Sequence, residues 1–218
     1  MLTVHHLNNS RSQRVLWLLE ELEVPYELVK YERDPKTMLA PPALEKIHPL
    51  GKSPVVTDGA LTIAESGAIL EYLVETYGNG RFAPARGTPD FQRYRYFLHY
   101  AEGSLMPLLL MKLVTSKIRK APLVVRPIAK AIAGKVDGGF VEPNLRRHTA
   151  FLDGELASRD WFAGDLSAAD CQMLFPMQAI AARAQNPPAR ITQWVARAEA
   201  RPAYQRALAK GGTYSVMG

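Results

Sequence analysis

The stretch His48–Ser66, HPLGKSPVVTDGALTIAES, holds two short β-forming runs, Pro54–Thr57 and Ala60–Ile63, on either side of Asp58–Gly59. Glycine and aspartate supply the positive φ that a tight two-strand turn requires, so the stretch reads as a β-hairpin. Immediately after it, Ala68, Ile69, Tyr72 and Leu73 recur with helical spacing. A helix therefore starts near Glu65 or Ser66, and its free N–H groups and positive dipole end face the hairpin. Such an end can hold a carboxylate or a phosphate. Ser66 and Glu65 can equally serve as simple helix caps, and the stretch alone does not choose.

Working outward toward the amino terminus, Leu2–His5 reads as a strand and Asn8–Asn9–Ser10 as a polar turn. From Arg11 the apolar residues Val15, Leu18, Leu19 and Leu22 mark a helix that ends at Val24–Pro25. Tyr26–Tyr31 alternates like a half-buried strand, and Arg33–Ile47, with three prolines, reads as a loop with irregular helix. The order β-α-β, irregular or helical link, β-β-α defines a small α/β unit over residues 1–80. Its first two strands pair in parallel, and the hairpin adds antiparallel strands. Gly78–Asp90 is the natural linker, and residues 81–90 separate the two units.

Residues 91–218 carry no convincing strand series and read as an all-helical unit. A long helix is expected over Gln92–Lys117, kinked at Pro107, and a second over Val124–Val136. Gly138–Gly139 is expected to interrupt the chain before a third helix, Pro143–Leu156. Leu166–Ser167–Ala168–Ala169–Asp170 has the form of a capping box with a hydrophobic staple ahead of another helix. Ile191–Ala200 and Tyr204–Ala209 complete the series.

Composition narrows the functional classes. The 218 residues are 47% hydrophobic and 22% charged, enough for one large or two modest cores. No apolar run reaches the ~18 residues of a membrane span, and the polar residues from His5 to Arg14 come too early for a secretory leader. The single cysteine, Cys171, permits no internal disulfide and suits a reducing compartment. The net charge of +6 favours anionic ligands. The basic residues are dispersed, and Lys112–Lys135 is interrupted by apolar ones, so neither nucleic acid nor a membrane is the expected partner. His5, His6, His48, His99 and His148 have no ligand spacing, so no metal is expected. Glycine spacing gives no phosphate loop or dinucleotide fingerprint. A hydrolase triad from Ser10, Asp170 and a histidine lacks the G-x-S-x-G setting.

Candidate chemistry gathers at two turns. Ser10, at the first strand-to-helix transition, can orient a hydroxyl toward a bound thiolate; Ser12 and Asn9 are alternative donors, and all three can be mere caps. At the second turn a cis Ser53–Pro54 bond would aim the Ser53 backbone at a peptide-like ligand. Lys52 beside it could meet a carboxylate, and His48 could contact ligand or cap local backbone.

Three segments together, NNSRSQRVLWLLEEL (Asn8–Leu22), HPLGKSPVVTDGALTIAESGAILEYL (His48–Leu73) and WFAGDLSAADC (Trp161–Cys171), resemble the cytosolic-type glutathione transferases of the serine type, bacterial-like in form. The resemblance covers nearly the full chain. It implies a thioredoxin-like amino-terminal domain, an all-helical carboxy-terminal domain shaping the electrophile pocket, glutathione as cosubstrate, and a cytoplasmic homodimer. It further implies that Ser10 holds the thiolate, that the Ser53 backbone pairs with the cysteinyl part, and that Ser66 and Glu65 receive the γ-glutamyl end. Lys52 would then face the glycine carboxylate, and Asp170 is a buried capping residue. The absence of cysteine and tyrosine from the first turn argues against glutaredoxin-like and tyrosine-assisted mechanisms. Tyr100, Met106, Pro107 and Leu110 are candidates for the second-substrate pocket, and Glu102 for a contribution to the partner subunit's site. The implied activity is attack of glutathione thiolate on a hydrophobic electrophile, with organic peroxide reduction alongside it. The alternatives are a glutathione-dependent isomerase, dehalogenase or ligand carrier on the same scaffold, and a non-catalytic interaction protein with a decayed site.

Overall fold

The computed structural model describes residues 1–184 and 186–212. The expected helical unit runs to residue 218, so its last six positions lie outside the described residues.

Strands β1 (Leu2–Leu7), β2 (Glu27–Tyr31), β3 (Val55–Asp58) and β4 (Leu61–Ala64) form one sheet in the order β2-β1-β3-β4. β1 pairs in parallel with β2, through Val4–Leu28, and antiparallel with β3, through Val4–Val56. The crossover between β1 and β2 is α1 (Ser12–Leu22), which ends where Glu23 turns left-handed at φ 58. A short α2 (Pro42–Glu45) precedes the hairpin, and α3 (Ser66–Tyr77) follows it. The unit is thus the expected mixed sheet with helices, thioredoxin-like in topology.

The hairpin sits one residue later than the sequence pattern suggested. Asp58 pairs with Leu61, so the turn is Gly59–Ala60, with Gly59 at φ 57. Asp58 belongs to the strand because its carboxylate accepts from the Tyr72 and Tyr77 hydroxyls of α3, which pins the hairpin to the helix behind it.

The helical part comprises α4 (Pro89–Tyr100), α5 (Met106–Ile118), α6 (Arg126–Val136), α7 (Glu142–Glu155), α8 (Ala168–Arg183), α9 (Ala189–Glu199) and α10 (Pro202–Gly211). α4 starts three residues earlier than expected because Thr88 caps it, its Oγ1 accepting from Phe91 N at 3.2 Å. Instead of a simple kink at Pro107, a π-helical turn, Ala101–Leu105, joins α4 to α5. Proline lacks the N–H needed to continue an α-helical ladder, and a wider turn just before it accommodates the loss.

Gly138–Gly139 does not break the chain as expected. A second π turn, Asp137–Val141, runs α6 into α7. Two interior glycines cost roughly 1 kcal/mol each. Here the buried Asp137 carboxylate anchors the turn by accepting from Thr115 and Lys112 of α5 and from Arg119 just after it. The final helix is also longer than Tyr204–Ala209.

One apolar core runs through both parts. Leu16, Trp17 and Leu19 of α1 pack with Ile69 and Leu70 of α3, Phe97 of α4 and Leu174 of α8, and all are buried. Each such side chain contributes roughly 1.5–3 kcal/mol by leaving water. α10 lies along α1, where the Glu20 carboxylate accepts from Tyr26, Arg206 and Lys210. Burial raises the Glu20 pKa, but those donors outweigh it and hold the group below its ordinary value. Gly211 is required at this contact, because a Cβ there would lie 2.7 Å from Leu16 Cδ1 and 2.5 Å from Gln13 Oε1. Among the described residues no helix is long and apolar enough to cross a membrane.

Candidate functional site

Three turns converge at the end of the sheet. The first is the β1–α1 turn. Here Asn9 adopts φ 49 and is exposed, and Asn8 Oδ1 accepts from Arg33 N at 2.9 Å. Ser10 and Ser12 are both buried, but they differ in surroundings. Ser12 Oγ lies 2.8 Å from His6 Nδ1 and 2.6 Å from Ser10 Oγ, deep behind the turn. Ser10 Oγ accepts from Ser12 N at 3.2 Å and lies 3.4 Å from Ser53 Oγ, on the side of the second turn.

His6 sets the order of this hydroxyl chain. Burial pushes its pKa down to about 4, so the ring is neutral. A neutral imidazole has one donor and one acceptor nitrogen, and its Nδ1 meets the Ser12 hydroxyl. Ser12 is thereby committed inward. The Ser10 hydroxyl donates to Ser53 Oγ at 3.4 Å, a long contact that a ligand in front of the turn can replace.

The second turn is Ser53–Pro54, whose peptide bond is cis. Ser53 Oγ donates to His5 O at 3.0 Å and accepts from Leu7 N at 3.2 Å, so the bend is stitched to β1. Pro54 is buried, whereas Lys52 is exposed beside it. His48 is half-buried and accepts from Leu50 N at 3.4 Å, a local capping contact.

The third turn is the start of α3. Glu65 adopts φ 72, ψ 119 and is exposed, and Ser66 is buried as the first helical residue. Its Oγ accepts from Arg14 Nη1 at 3.2 Å. Arg14 also donates to Gln172 Oε1 at 3.3 Å and to Glu102 Oε1 at 2.6 Å, and Arg11 Nε reaches the same Glu102 oxygen at 3.0 Å. Arg14 thus ties α1, the start of α3, α8 and the π turn into one network behind Ser66.

The structure brings Ser10, Ser12, Ser53 and Ser66 to one end of the sheet, and Glu102 to the adjoining ion-pair network of its own chain. Of the four residues proposed for the second pocket, Tyr100 and Met106 pack into the core. The Tyr100 hydroxyl is bonded to His148 Nδ1. Pro107 and Leu110 face solvent. Sequence reasoning overlooked His6, Arg14 and Gln172. Arg14 carried a usable signal: it falls between Arg11 and Leu18 on the apolar stripe of α1, where a cation requires a buried partner. His6 and Gln172 carried none, being single polar residues in apolar surroundings.

Asp170 is fully buried at the start of α8 and accepts from Phe162 N, Ser167 N and Ser167 Oγ, each at 2.9 Å. Burial pushes its carboxyl up to about 6, against those donors. It completes the capping box that starts α8. Among the described residues no cluster of three or more His, Cys, Asp and Glu is placed to hold a metal ion.

Comparison with known proteins follows the same geometry. Residues 1–75 match the glutathione S-transferase amino-terminal domain family. Glutathione S-transferase 3 of Schizosaccharomyces pombe is 37% identical over 214 residues, spanning 96% of this chain and 88% of the relative. The crystal structure of a glutathione S-transferase from Actinobacillus pleuropneumoniae superposes with a TM-score of 0.80 at 31% identity, over 100% of this chain and 95% of that one. A sphingomonad glutathione S-transferase solved in complex with glutathione shares the fold, with a TM-score of 0.72 at 24% identity over 96% and 98% of the two chains. The chain belongs to the glutathione transferase family, a family of glutathione-dependent enzymes.

Proposed function

We propose that this enzyme binds glutathione across the three turns, stabilises its thiolate, and directs that thiolate at a hydrophobic electrophile. The observation that carries the reading is the 3.4 Å approach of Ser10 Oγ to Ser53 Oγ. It sets a hydroxyl donor beside the bend whose backbone can pair with a cysteinyl residue. A tripeptide with carboxylates at both ends suits what flanks this point. The α3 amino terminus and Ser66 take the γ-glutamyl carboxylate, Glu65 takes its amino group, and Lys52 takes the glycine carboxylate. His48 lies at the edge of this groove.

Ser10 is the thiolate donor in this reading. Ser12 is fully buried and committed to His6, and its N–H donates to Ser10 Oγ from behind. Asn9 borders the sulfur position. Each unit of thiol pKa depression corresponds to roughly 1.4 kcal/mol of preferential thiolate binding. The thiol proton leaves to solvent. The sulfur then displaces halide from an activated arene, or adds to an activated alkene whose carbanion takes a proton from solvent. With a peroxide it attacks an oxygen, breaking the O–O bond to release the alcohol and leave a sulfenic acid that a second glutathione converts to disulfide and water. The protein contributes orientation and electrostatics to a nucleophile that the cosubstrate brings.

Residues 1–80 form the glutathione-binding domain, 81–90 the linker and 91–218 the domain shaping the electrophile pocket, to which the exposed Pro107 and Leu110 offer surface and the buried Tyr100 and Met106 backing. A cytoplasmic homodimer completes the reading, with Glu102 contributing to the partner subunit's site. Two measurements test it: ultraviolet titration of the thiolate of enzyme-bound glutathione, and conjugation of a chloronitroarene. A bound thiol pKa well below that of free glutathione, lost in Ser10→Ala, is expected. An unshifted thiol pKa, or full activity in Ser10→Ala with loss in Ser12→Ala, overturns the assignment.

A further inference from the structure

The charge of this chain is concentrated in one segment. Between Glu102 and Asp137 the 34 residues Gly103–Val136 contain seven Lys and Arg and no Asp or Glu. The remaining residues carry 20 basic against 21 acidic side chains, so essentially all of the net charge of +6 resides in this segment. It folds as the α5–α6 pair with the intervening turn, 119–125. The turn has a defined form: Arg126 Nε donates to Ala121 O at 2.9 Å, and the Pro122 carbonyl accepts from Val125 N and Arg126 N.

Two further features make this tip unusual. Nine of the seventeen exposed large apolar side chains among the described residues fall within these 34 residues. Leu123 and Val124, at the apex, are 76% and 92% exposed, and Val125, Ile128 and Ile132 continue the exposed apolar surface along α6. The cations are also divided by position. Lys112 and Arg119 are paired with the buried Asp137, whereas Lys117, Lys120, Lys130 and Lys135 are exposed.

We infer that the α5–α6 tip docks on an anionic lipid surface, with Leu123 and Val124 entering the acyl boundary and the four exposed lysines meeting headgroup phosphates. Charge complementarity selects this occupant. A second copy docking tip to tip would bring one acid-free segment against another. A nucleic acid would satisfy the lysines and leave a 92%-exposed valine facing a sugar-phosphate backbone. Only a surface that is apolar inside and anionic outside uses both sets of residues, and lysine stems can snorkel along it. Such docking lies within the interface and needs no spanning helix. It is independent of the glutathione reading.

The test is co-sedimentation of the full chain with phosphatidylcholine vesicles, with and without about 30% phosphatidylserine, at low and high salt. At least tenfold tighter partition to the anionic vesicles is expected, and it should be lost at high salt. Lys117→Gln/Lys120→Gln should weaken partition about 25-fold, from roughly fivefold per charge removed near the surface. Leu123→Gln/Val124→Gln should weaken it comparably, with conjugation activity and melting temperature unchanged as the check on folding. Equal partition to both vesicle types, or full binding by the Leu123/Val124 variant, overturns the inference. So does a change from dimer to monomer in either variant, which would assign the tip to a second copy. Equally tight binding of a short DNA duplex that ignores Leu123 and Val124 would assign it to nucleic acid.

Discussion

Ser12 Oγ stands between two partners, 2.6 Å from Ser10 Oγ and 2.8 Å from His6 Nδ1, and is itself fully buried. The two serines of one turn therefore have different work, although the sequence presents them as interchangeable. Ser10→Ala removes the donor nearest the thiol site and is expected to lower kcat/KM about 100-fold, the typical loss for one donor to a developing anion. It should raise the pKa of bound glutathione and, because it strips the buried Ser12 N–H of its acceptor, cost about 1 kcal/mol of stability. Ser12→Ala leaves a buried His6 nitrogen without its hydroxyl and is expected to cost about 1–3 kcal/mol of stability. Its kcat should fall much less. Steady-state kinetics, thiolate titration and urea unfolding on both variants separate the two roles.

What could be read from the sequence follows from the range of each signal. The hairpin, the α3 start, the Ser167–Asp170 box and the bend at Ser53–Pro54 are local, set by residues within a few positions of one another, and the chain spells them out. Turn boundaries shifted by one because Asp58 is held by Tyr72 and Tyr77, 14 and 19 residues away. The Gly138–Gly139 break failed for the same reason, since Asp137 finds its partners on a different helix. The candidate site was legible as residue types at three turns. The network behind it, Arg14 with Ser66, Glu102 and Gln172, joins positions up to 158 residues apart, and no local pattern announces it.

That network supports a second prediction. Arg14 is 1% exposed and Glu102 is 31% exposed. Removing the carboxylate leaves a buried guanidinium without its charge partner. A fully buried pair broken in this way costs roughly 3–5 kcal/mol. Because Glu102 is partly solvated, Glu102→Gln is expected to cost about 2 kcal/mol. Arg14 also fixes the Ser66 hydroxyl, so KM for glutathione should rise severalfold with little change in kcat. Denaturant unfolding and a KM-against-kcat comparison check both parts.

Acid stability provides a third prediction, with two buried groups acting in opposite directions. Burial holds the His6 pKa at about 4 against 6.5 for the free group. As pH falls from 6.5 toward 4, the unfolded chain takes up a proton that the folded one refuses. Folding therefore loses up to roughly 3 kcal/mol across that window. Burial raises Asp170 to about 6 from 3.8. As pH falls from 6 toward 3.8 the folded chain takes up its proton first, and folding gains a similar amount. The wild-type stability should therefore change little between pH 6 and 4.5. His6→Gln removes only the first effect, so its stability should rise relative to wild type as pH falls through this window. Parallel urea titrations at several pH values measure the difference; a pH-independent gap between the two proteins contradicts the assignment.

The fourth prediction concerns the far end of the His6 relay. Gly211 approaches α1 so closely that a Cβ would lie 2.7 Å from Leu16 Cδ1, 2.5 Å from Gln13 Oε1 and 3.2 Å from His6 Cε1. The Gln13 amide can swing away, but Leu16 is fully buried and has little room. Gly211→Ala must therefore move the end of α10 away from α1, at a cost of about 1–3 kcal/mol typical of overpacking. The same movement shifts the chain that packs against the His6 ring. With the ring free to shift, its contact with the Ser12 hydroxyl loosens, and the bound glutathione pKa should rise by a fraction of a unit, well short of the effect of Ser10→Ala. Thiolate titration of the variant distinguishes this from simple destabilisation, because loss of stability alone lowers the amount of active enzyme and leaves the titration midpoint where it was.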